Sequence, residues 1–152
     1  MFRCKQSRLL VALCILTVPL GGCTRVSQTL LQQSRIDGNV PARANFDQFL
    51  VRDLDAYFSE MFKTPVKVKY RLLRHGPTQS GVSDPKFYAW VNITDGQKLD
   101  EAGAVRLAAI ERERFDITDF VSAKEIRRDP DAINKIFPTA LCSAIRERAL
   151  HQ

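Results

Sequence analysis

Residues 45–74 read NFDQFLVRDLDAYFSEMFKTPVKVKYRLLR, and within this stretch the apolar residues change from a helical to a strand-like spacing. In the first half, apolar side chains recur every three or four positions, which predicts an amphipathic helix. Asn45 is a candidate N-cap with Gln48 three residues later, and Thr64-Pro65 is expected to end the helix. The apolar stripe consists of Phe46, Phe49, Leu50, Leu54, Tyr57, Phe58, Met61 and Phe62.

Two strands are predicted after this helix. Val66–Arg74 alternates apolar residues with lysine and arginine, which is typical of a half-buried strand with a basic outer face. Lys86–Thr94 also alternates, so Tyr88 and Trp90 lie on the side opposite the aliphatic residues. Residues 75–85 connect the two strands and are long for a hairpin loop.

Residues 95–121 support two interpretations. Asp95-Gly96 marks a turn, and the alternation of Val105, Leu107 and Ala109 predicts a third strand, long or bulged, over Ala104–Phe120. The helix-forming residues of 99–112 leave a helix there as the alternative, although Gly103 interrupts it.

The C-terminal part is predicted to be helical. Ser122 and Glu125 form a capping box, Asp129-Pro130 restarts a helix, and Pro138 opens a further helical segment. The expected fold class is therefore α+β: an N-terminal amphipathic helix packed on a small three-stranded antiparallel sheet, followed by short helices. This general plan resembles that of cystatin-like domains, an architectural analogy that implies no function.

The N-terminus has the order of a secretory signal. Met1–Arg8 is basic, and Leu9–Leu20 is an apolar run that is too short to span a bilayer. Leu20-Gly21-Gly22-Cys23 follows and resembles the lipobox of bacterial lipoproteins. The resemblance implies diacylation of the Cys23 thiol, cleavage after Gly22 and acylation of the new α-amine; an ordinary secretory signal is the alternative. Thr24, where an aspartate would mark inner-membrane retention, favours the outer membrane, facing the periplasm.

These features divide the chain into a signal peptide (1–22), a lipidated tether (23–44) and a single domain (45–152). The net charge is +6, yet residues 45–152 contain 17 basic and 16 acidic side chains. Because the basic excess lies in the leader and tether, no nucleic-acid partner is predicted. The composition, 45% hydrophobic and 26% charged, also excludes collagen-like, fully disordered and polytopic membrane proteins.

Cysteine usage agrees with this division. Cys4 and Cys14 leave with the signal peptide and Cys23 is consumed by lipid, so Cys142 is the remaining thiol and no internal disulfide is expected. Its apolar helical surroundings predict a buried, structural thiol.

One short motif resembles a catalytic signature. Residues 72–78, LLRHGPT, are similar to the N-terminal motif of the histidine phosphatase and phosphoglycerate mutase superfamily. That resemblance implies a nucleophilic His75 and a phosphate clamp at Arg74. The superfamily also needs a second histidine, and the sequence offers only His151; a strand end followed by a Gly-Pro turn is the alternative interpretation.

A partner-binding surface is predicted on the outer side of the sheet. Tyr88 and Trp90 are its candidate apolar anchors, with Lys67, Lys69 and Arg71 as the charged rim. The alternative is that the C-terminal helices cover both rings and make them core.

The predicted function is that of a non-catalytic, membrane-anchored periplasmic lipoprotein. It would serve as an accessory or scaffold for an envelope assembly of secretion, pilus or conjugation type, with an envelope protein as partner. The alternatives are a binding module for an anionic envelope component and a hydrolase that uses His75. No His/Cys cluster has metal spacing and no Gly-rich phosphate loop follows a strand, so neither a metal nor a cofactor is predicted.

Overall fold

The computed structural model describes residues 38–78 and 84–152. The predicted signal peptide, the lipidation site Cys23 and most of the tether lie outside the described residues. The helices are α1 (Arg43–Phe62), α2 (Ala123–Arg128) and α3 (Thr139–Leu150), and the strands are β1 (Lys67–Leu72), β2 (Lys86–Thr94), β3 (Asp100–Ile110) and β4 (Arg114–Ser122). The four strands form one antiparallel sheet in the order β1-β2-β3-β4. Within these two ranges, no helix is long and apolar enough to cross a membrane.

Helix α1 packs on one face of the sheet, which we call the inner face. Its apolar stripe buries Leu50, Leu54 and Phe58 completely against the alternate residues of the strands. The prediction that Asn45 caps this helix is wrong, because α1 begins at Arg43 after Ala42 and has no side-chain cap. The chain is held before that point, since Val40 packs against the core and the Asn39 carbonyl accepts the Arg112 N–H at 3.0 Å. The folded part therefore includes residues that the sequence assigned to the tether.

The sheet has four strands, so the prediction of a single third strand over 104–120 is wrong, as is the alternative helix over 99–112. Strands β3 and β4 form a hairpin whose turn places Glu111 and Arg112 at φ 49° and 65°. Two successive positive φ angles are typical of the tight turns that suit the twist of a hairpin. The pairing of β3 with β4 contains a register shift between Arg106 and Leu107.

Gly103 allows a close approach within this hairpin. A Cβ atom at this position would lie 2.5 Å from both the Phe120 ring and the Val121 carbonyl oxygen. Gly103 therefore makes room for the neighbouring strand and does not interrupt a helix.

Helices α2 and α3 pack on the opposite, outer face and form a second core. Ser122 caps α2 as predicted, with its Oγ accepting the Glu125 N–H at 3.1 Å. The small side chains of Ala102 and Ala104 on β3 lie in this core, where bulk would hold the helices away from the sheet. The other members are Tyr88, Trp90, Val121, Ala123, Ile126, Ile133, Phe137, Cys142, Ile145 and Ala149.

The segment between α2 and α3 consists of turns, so the predicted helix from Asp129-Pro130 is wrong. Its backbone hydrogen bonds mostly join residues three apart, such as Ala132 to Asp129 and Asn134 to Asp131. This tight winding buries Ile133 and Phe137 together, and Pro138 then disfavours α geometry at the residue before it.

Candidate functional site

Half of the outer sheet face is covered by helices and half is open. Tyr88 and Trp90 are 6% and 2% exposed beneath α2 and α3. Six other outward positions are exposed and polar, and we call them the open half: Lys67, Lys69, Arg71, Asn92, Thr94 and Asp100.

A cleft of about 490 Å³ lies where the open half meets the end of α3, and we call it the outer cleft. Arg71 lies directly opposite Trp90 across the β1–β2 pair, so both side chains are on the outer face. Strand β1 supplies one wall, β2 the floor and α3 the other wall. The lining includes Arg71, Trp90, Asn92, Glu147, Arg148 and His151.

The wall formed by α3 is fixed by a long-range contact. Arg127 on α2 donates from Nη1 to the Ala149 carbonyl at 2.7 Å, which ties the last turn of α3 to the neighbouring helix. This contact satisfies one of the carbonyl groups that a helix end leaves open. The side chains of Glu147 and Arg148 therefore extend from an anchored turn.

The cleft is more basic than acidic. Five ion pairs occur among the described residues, and none includes Lys69, Arg71 or Arg148. Lys67 by contrast contacts Asp55 at 3.0 Å. Glu147 is the acidic side chain in the cleft lining, so Arg71 and Arg148 remain available to an anion.

A second depression of about 450 Å³ adjoins the outer cleft and shares Asn92 with it. Its rim is the turn after β2, where Asp95 Oδ1 accepts the N–H groups of Gln97, Lys98 and Leu99 at 2.8–3.0 Å. These backbone bonds, that from Gln97 foremost, lower the pKa of Asp95 below its ordinary value. The turn is thus held by a charged aspartate at neutral pH.

The predicted aromatic anchors are not on the surface. Tyr88 and Trp90 belong to the second core, because the C-terminal helices cover that half of the face. The predicted rim of Lys67, Lys69 and Arg71 is exposed, as expected for the outer side of an edge strand. Both rings are therefore core residues, as in the alternative interpretation of the sequence.

The Tyr88 hydroxyl has a partner, since it lies 2.8 Å from Thr78 Oγ1. The Trp90 indole nitrogen is buried and has no hydrogen-bond partner among the described residues.

The other candidate groups lie apart from this arrangement. His75 and Arg74 are exposed in the turn after β1, while His151 lies in the outer cleft at the end of α3. Cys142 is buried, and its Sγ lies 3.5 Å from the Pro138 carbonyl oxygen. In the part of the chain that the structure covers, no group of three His, Cys, Asp or Glu side chains is placed to hold a metal ion.

The sequence predicted the basic residues of the β1 wall of the outer cleft, but it did not predict that α3 forms the opposite wall. A signal was present, because Ala144, Glu147, Arg148 and His151 recur at helical spacing and share one side of the C-terminal helix. Nothing in the sequence shows that this stripe faces β1. Comparison of the chain with protein-family models, curated proteins and solved structures finds no match.

Proposed function

We propose that the chain is a lipid-anchored protein of the bacterial envelope, held through Cys23 and facing the periplasm. The observation that carries this proposal is the order of basic segment, apolar segment and Leu20-Gly21-Gly22-Cys23 at the N-terminus. Two or more acyl chains give a stable membrane anchor, whereas a single chain gives marginal binding. The leader and the anchor together place the domain at a membrane surface.

The domain at the end of this tether acts as a non-catalytic accessory or scaffold for an envelope assembly of secretion, pilus or conjugation type. Support comes from the open half of the outer face, where Lys69 and Arg71 are exposed and form no ion pair among the described residues. A charged, exposed strand row favours orientation and rapid association with an acidic protein surface.

A second function is favoured by the outer cleft. Its arginines, one from the sheet and one from α3, would suit a binding module for an anionic envelope component. We do not propose a histidine phosphatase: His75 lies on an exposed turn, and the other histidine of the sequence belongs to the end of α3.

The anchor is tested by detergent phase separation after expression in an enteric-type bacterium. The wild-type chain is expected in the membrane fraction and the detergent phase, and Cys23→Ala in the aqueous phase or as an uncleaved precursor. Cys142→Ala serves as the matched control, since it removes the other mature thiol and should partition like wild type. A wild-type chain found in the aqueous phase would contradict the proposal.

The predicted outer-membrane location has its own test. Thr24→Asp introduces the residue that marks inner-membrane retention in such hosts. We expect this variant to keep its anchor and to shift from the outer-membrane to the inner-membrane fraction. Wild-type protein already in the inner-membrane fraction would contradict the location while leaving the anchor intact.

A further inference from the structure

We propose that the outer cleft is a binding site for a phosphate group, held by Arg71 and Arg148 from its two walls above the buried ring of Trp90. The site deepens the second function proposed above, the binding of an anionic envelope component, and rests on it. It does not depend on lipidation, because it is formed by described residues of the folded domain alone. The shared chemistry is that of a phosphate, whether free or carried by a lipid headgroup.

Arg71 is positioned by the sheet register. It pairs with Trp90 on the neighbouring strand, and β1 is an edge strand with β2 on one side only. Its guanidinium is exposed and forms no ion pair with any described acid. A planar guanidinium with several donors is the side chain best suited to bind two oxygens of one anion.

Arg148 is positioned by α3, whose last turn is tied to α2 through Arg127 and the Ala149 carbonyl. This arginine is half-buried, and no described carboxylate lies within ion-pair distance of it. A partly desolvated guanidinium without a counter-ion gains more from an anion than a fully hydrated one does. His151, one turn further along, adds a ring nitrogen to the same wall.

Trp90 forms the floor of the cleft and can report on what binds above it. Its side chain is 2% exposed and lines the cleft, and Nε1, its single polar atom, is buried and has no partner among the described residues. An anion bound between the two arginines would lie over this ring and change the electrostatic field at the indole N–H.

The number of donors favours phosphate over carboxylate. One guanidinium comes from β1 and one from α3, on the two walls of one cleft. Each guanidinium can bind two oxygens of an anion, and a phosphate has enough oxygens for both, whereas a carboxylate has two in all. Glu147 on the α3 wall opposes any anion, so its removal should strengthen binding.

The test uses the single tryptophan of the sequence, whose indole N–H gives one resolved peak in a ¹H–¹⁵N spectrum. The full mature chain, in a maltoside detergent that carries no phosphate, is titrated with sodium phosphate at constant ionic strength. A titration with sodium chloride over the same range of ionic strength is the comparison. We expect the indole peak to move and its shift to saturate. A soluble diester, glycerophosphoglycerol, forms the second arm; tighter binding of the diester assigns the site to a lipid headgroup, and tighter binding of inorganic phosphate assigns it to a free phosphate.

Four variants separate this site from non-specific charge attraction. Arg71→Gln and Arg148→Gln should each weaken binding about tenfold, the effect of one charge-assisted hydrogen bond. Glu147→Gln should tighten binding a few-fold, which a structural disturbance would not do. Arg43→Gln, an exposed arginine on α1, is the matched control and should leave binding unchanged. The proposal is overturned if the indole peak moves equally in chloride, or if Arg43→Gln weakens binding as much as Arg71→Gln.

Discussion

Trp90 is the residue at which the sheet, the C-terminal helices and the outer cleft meet. Its ring is 2% exposed and packs with Ile145, Phe137 and their neighbours in the second core. We expect the intrinsic fluorescence of the chain to show a blue-shifted emission maximum and slow quenching by acrylamide. An emission maximum close to that of free tryptophan would show that the helices do not cover the sheet.

Cys142 gives a second prediction at the scale of one residue. The thiol is 3% exposed and lies against the Phe137 and Pro138 carbonyl oxygens. In the lipidated mature chain we expect reaction with a thiol reagent to be slow in buffer and fast in denaturant, since burial blocks access. Rapid labelling of the native protein would contradict the packing of α3.

Gly103 shows why one residue was misinterpreted from sequence alone. Gly103 allows the Phe120 ring and the Val121 carbonyl to approach closely across the β3–β4 hairpin. A contact between strands leaves no local pattern in the sequence. Gly103→Ala would need the Val121 backbone to move, so we expect a loss of about 1–3 kcal/mol in the free energy of unfolding, as for overpacking. Gly38→Ala, where a Cβ meets nothing within 4 Å, should be near neutral in the same urea titration. Equal stability of both variants would contradict the close approach.

At the scale of elements, α1 binds both edges of the sheet. Asp55 Oδ1 accepts the Val68 N–H of β1 at 2.8 Å, and Asp53 Oδ2 accepts the Phe115 N–H of β4 at 2.7 Å. Edge-strand N–H groups left open are templates for pairing with other chains, and these two carboxylates occupy one such group on each edge. The helix thus contributes hydrogen bonds as well as an apolar stripe.

This arrangement makes a measurable prediction. Asp53→Ala should lower the free energy of unfolding by roughly 1.5–3 kcal/mol, the range for hydrogen bonds to charged groups. Glu60→Ala, an exposed carboxylate on the same helix, is the matched control and should change little. Urea denaturation monitored by circular dichroism measures both. A loss no greater for Asp53→Ala than for Glu60→Ala would contradict the role of α1 at the β4 edge.

Helices and strands were predictable from the sequence where the spacing of apolar residues and the turn residues indicated the same element bounds. The bounds of β2 match the prediction, and α1 ends at Phe62, just before Thr64-Pro65. The β3–β4 hairpin was missed because Glu111 and Arg112 adopt left-handed backbone angles that glycine and asparagine usually mark. Asp129-Pro130 favours a helix start by local preference, yet burial of Ile133 and Phe137 selects turns.

For the candidate site, too, the sequence predicted the local pattern and missed the contact between segments that lie far apart in the chain. The basic row of β1 was visible as alternation within one strand. Its meeting with Glu147, Arg148 and His151 depends on how α3 lies across the sheet, which tertiary packing decides. Tyr88 and Trp90 were placed on the correct face, and the cover over that face decided their role.

At the scale of the whole molecule, the basic excess of the sequence lies in residues 1–44, while residues 45–152 are nearly neutral. About 15 residues separate Cys23 from the first described residue. At about 3.3 Å per residue they could span at most ~50 Å, so a lipidated Cys23 would keep the domain close to the membrane. Within that distance, the outer face of the sheet would meet membrane-bound partners at a high effective concentration.

Metabolic labelling with radioactive palmitate measures lipidation at Cys23. We expect strong incorporation into the wild-type chain and into Cys142→Ala, and none into Cys23→Ala, because the Cys23 thiol is the proposed acceptor of the diacylglyceryl group. Equal labelling of wild type and Cys23→Ala, or no labelling of either, would contradict this expectation.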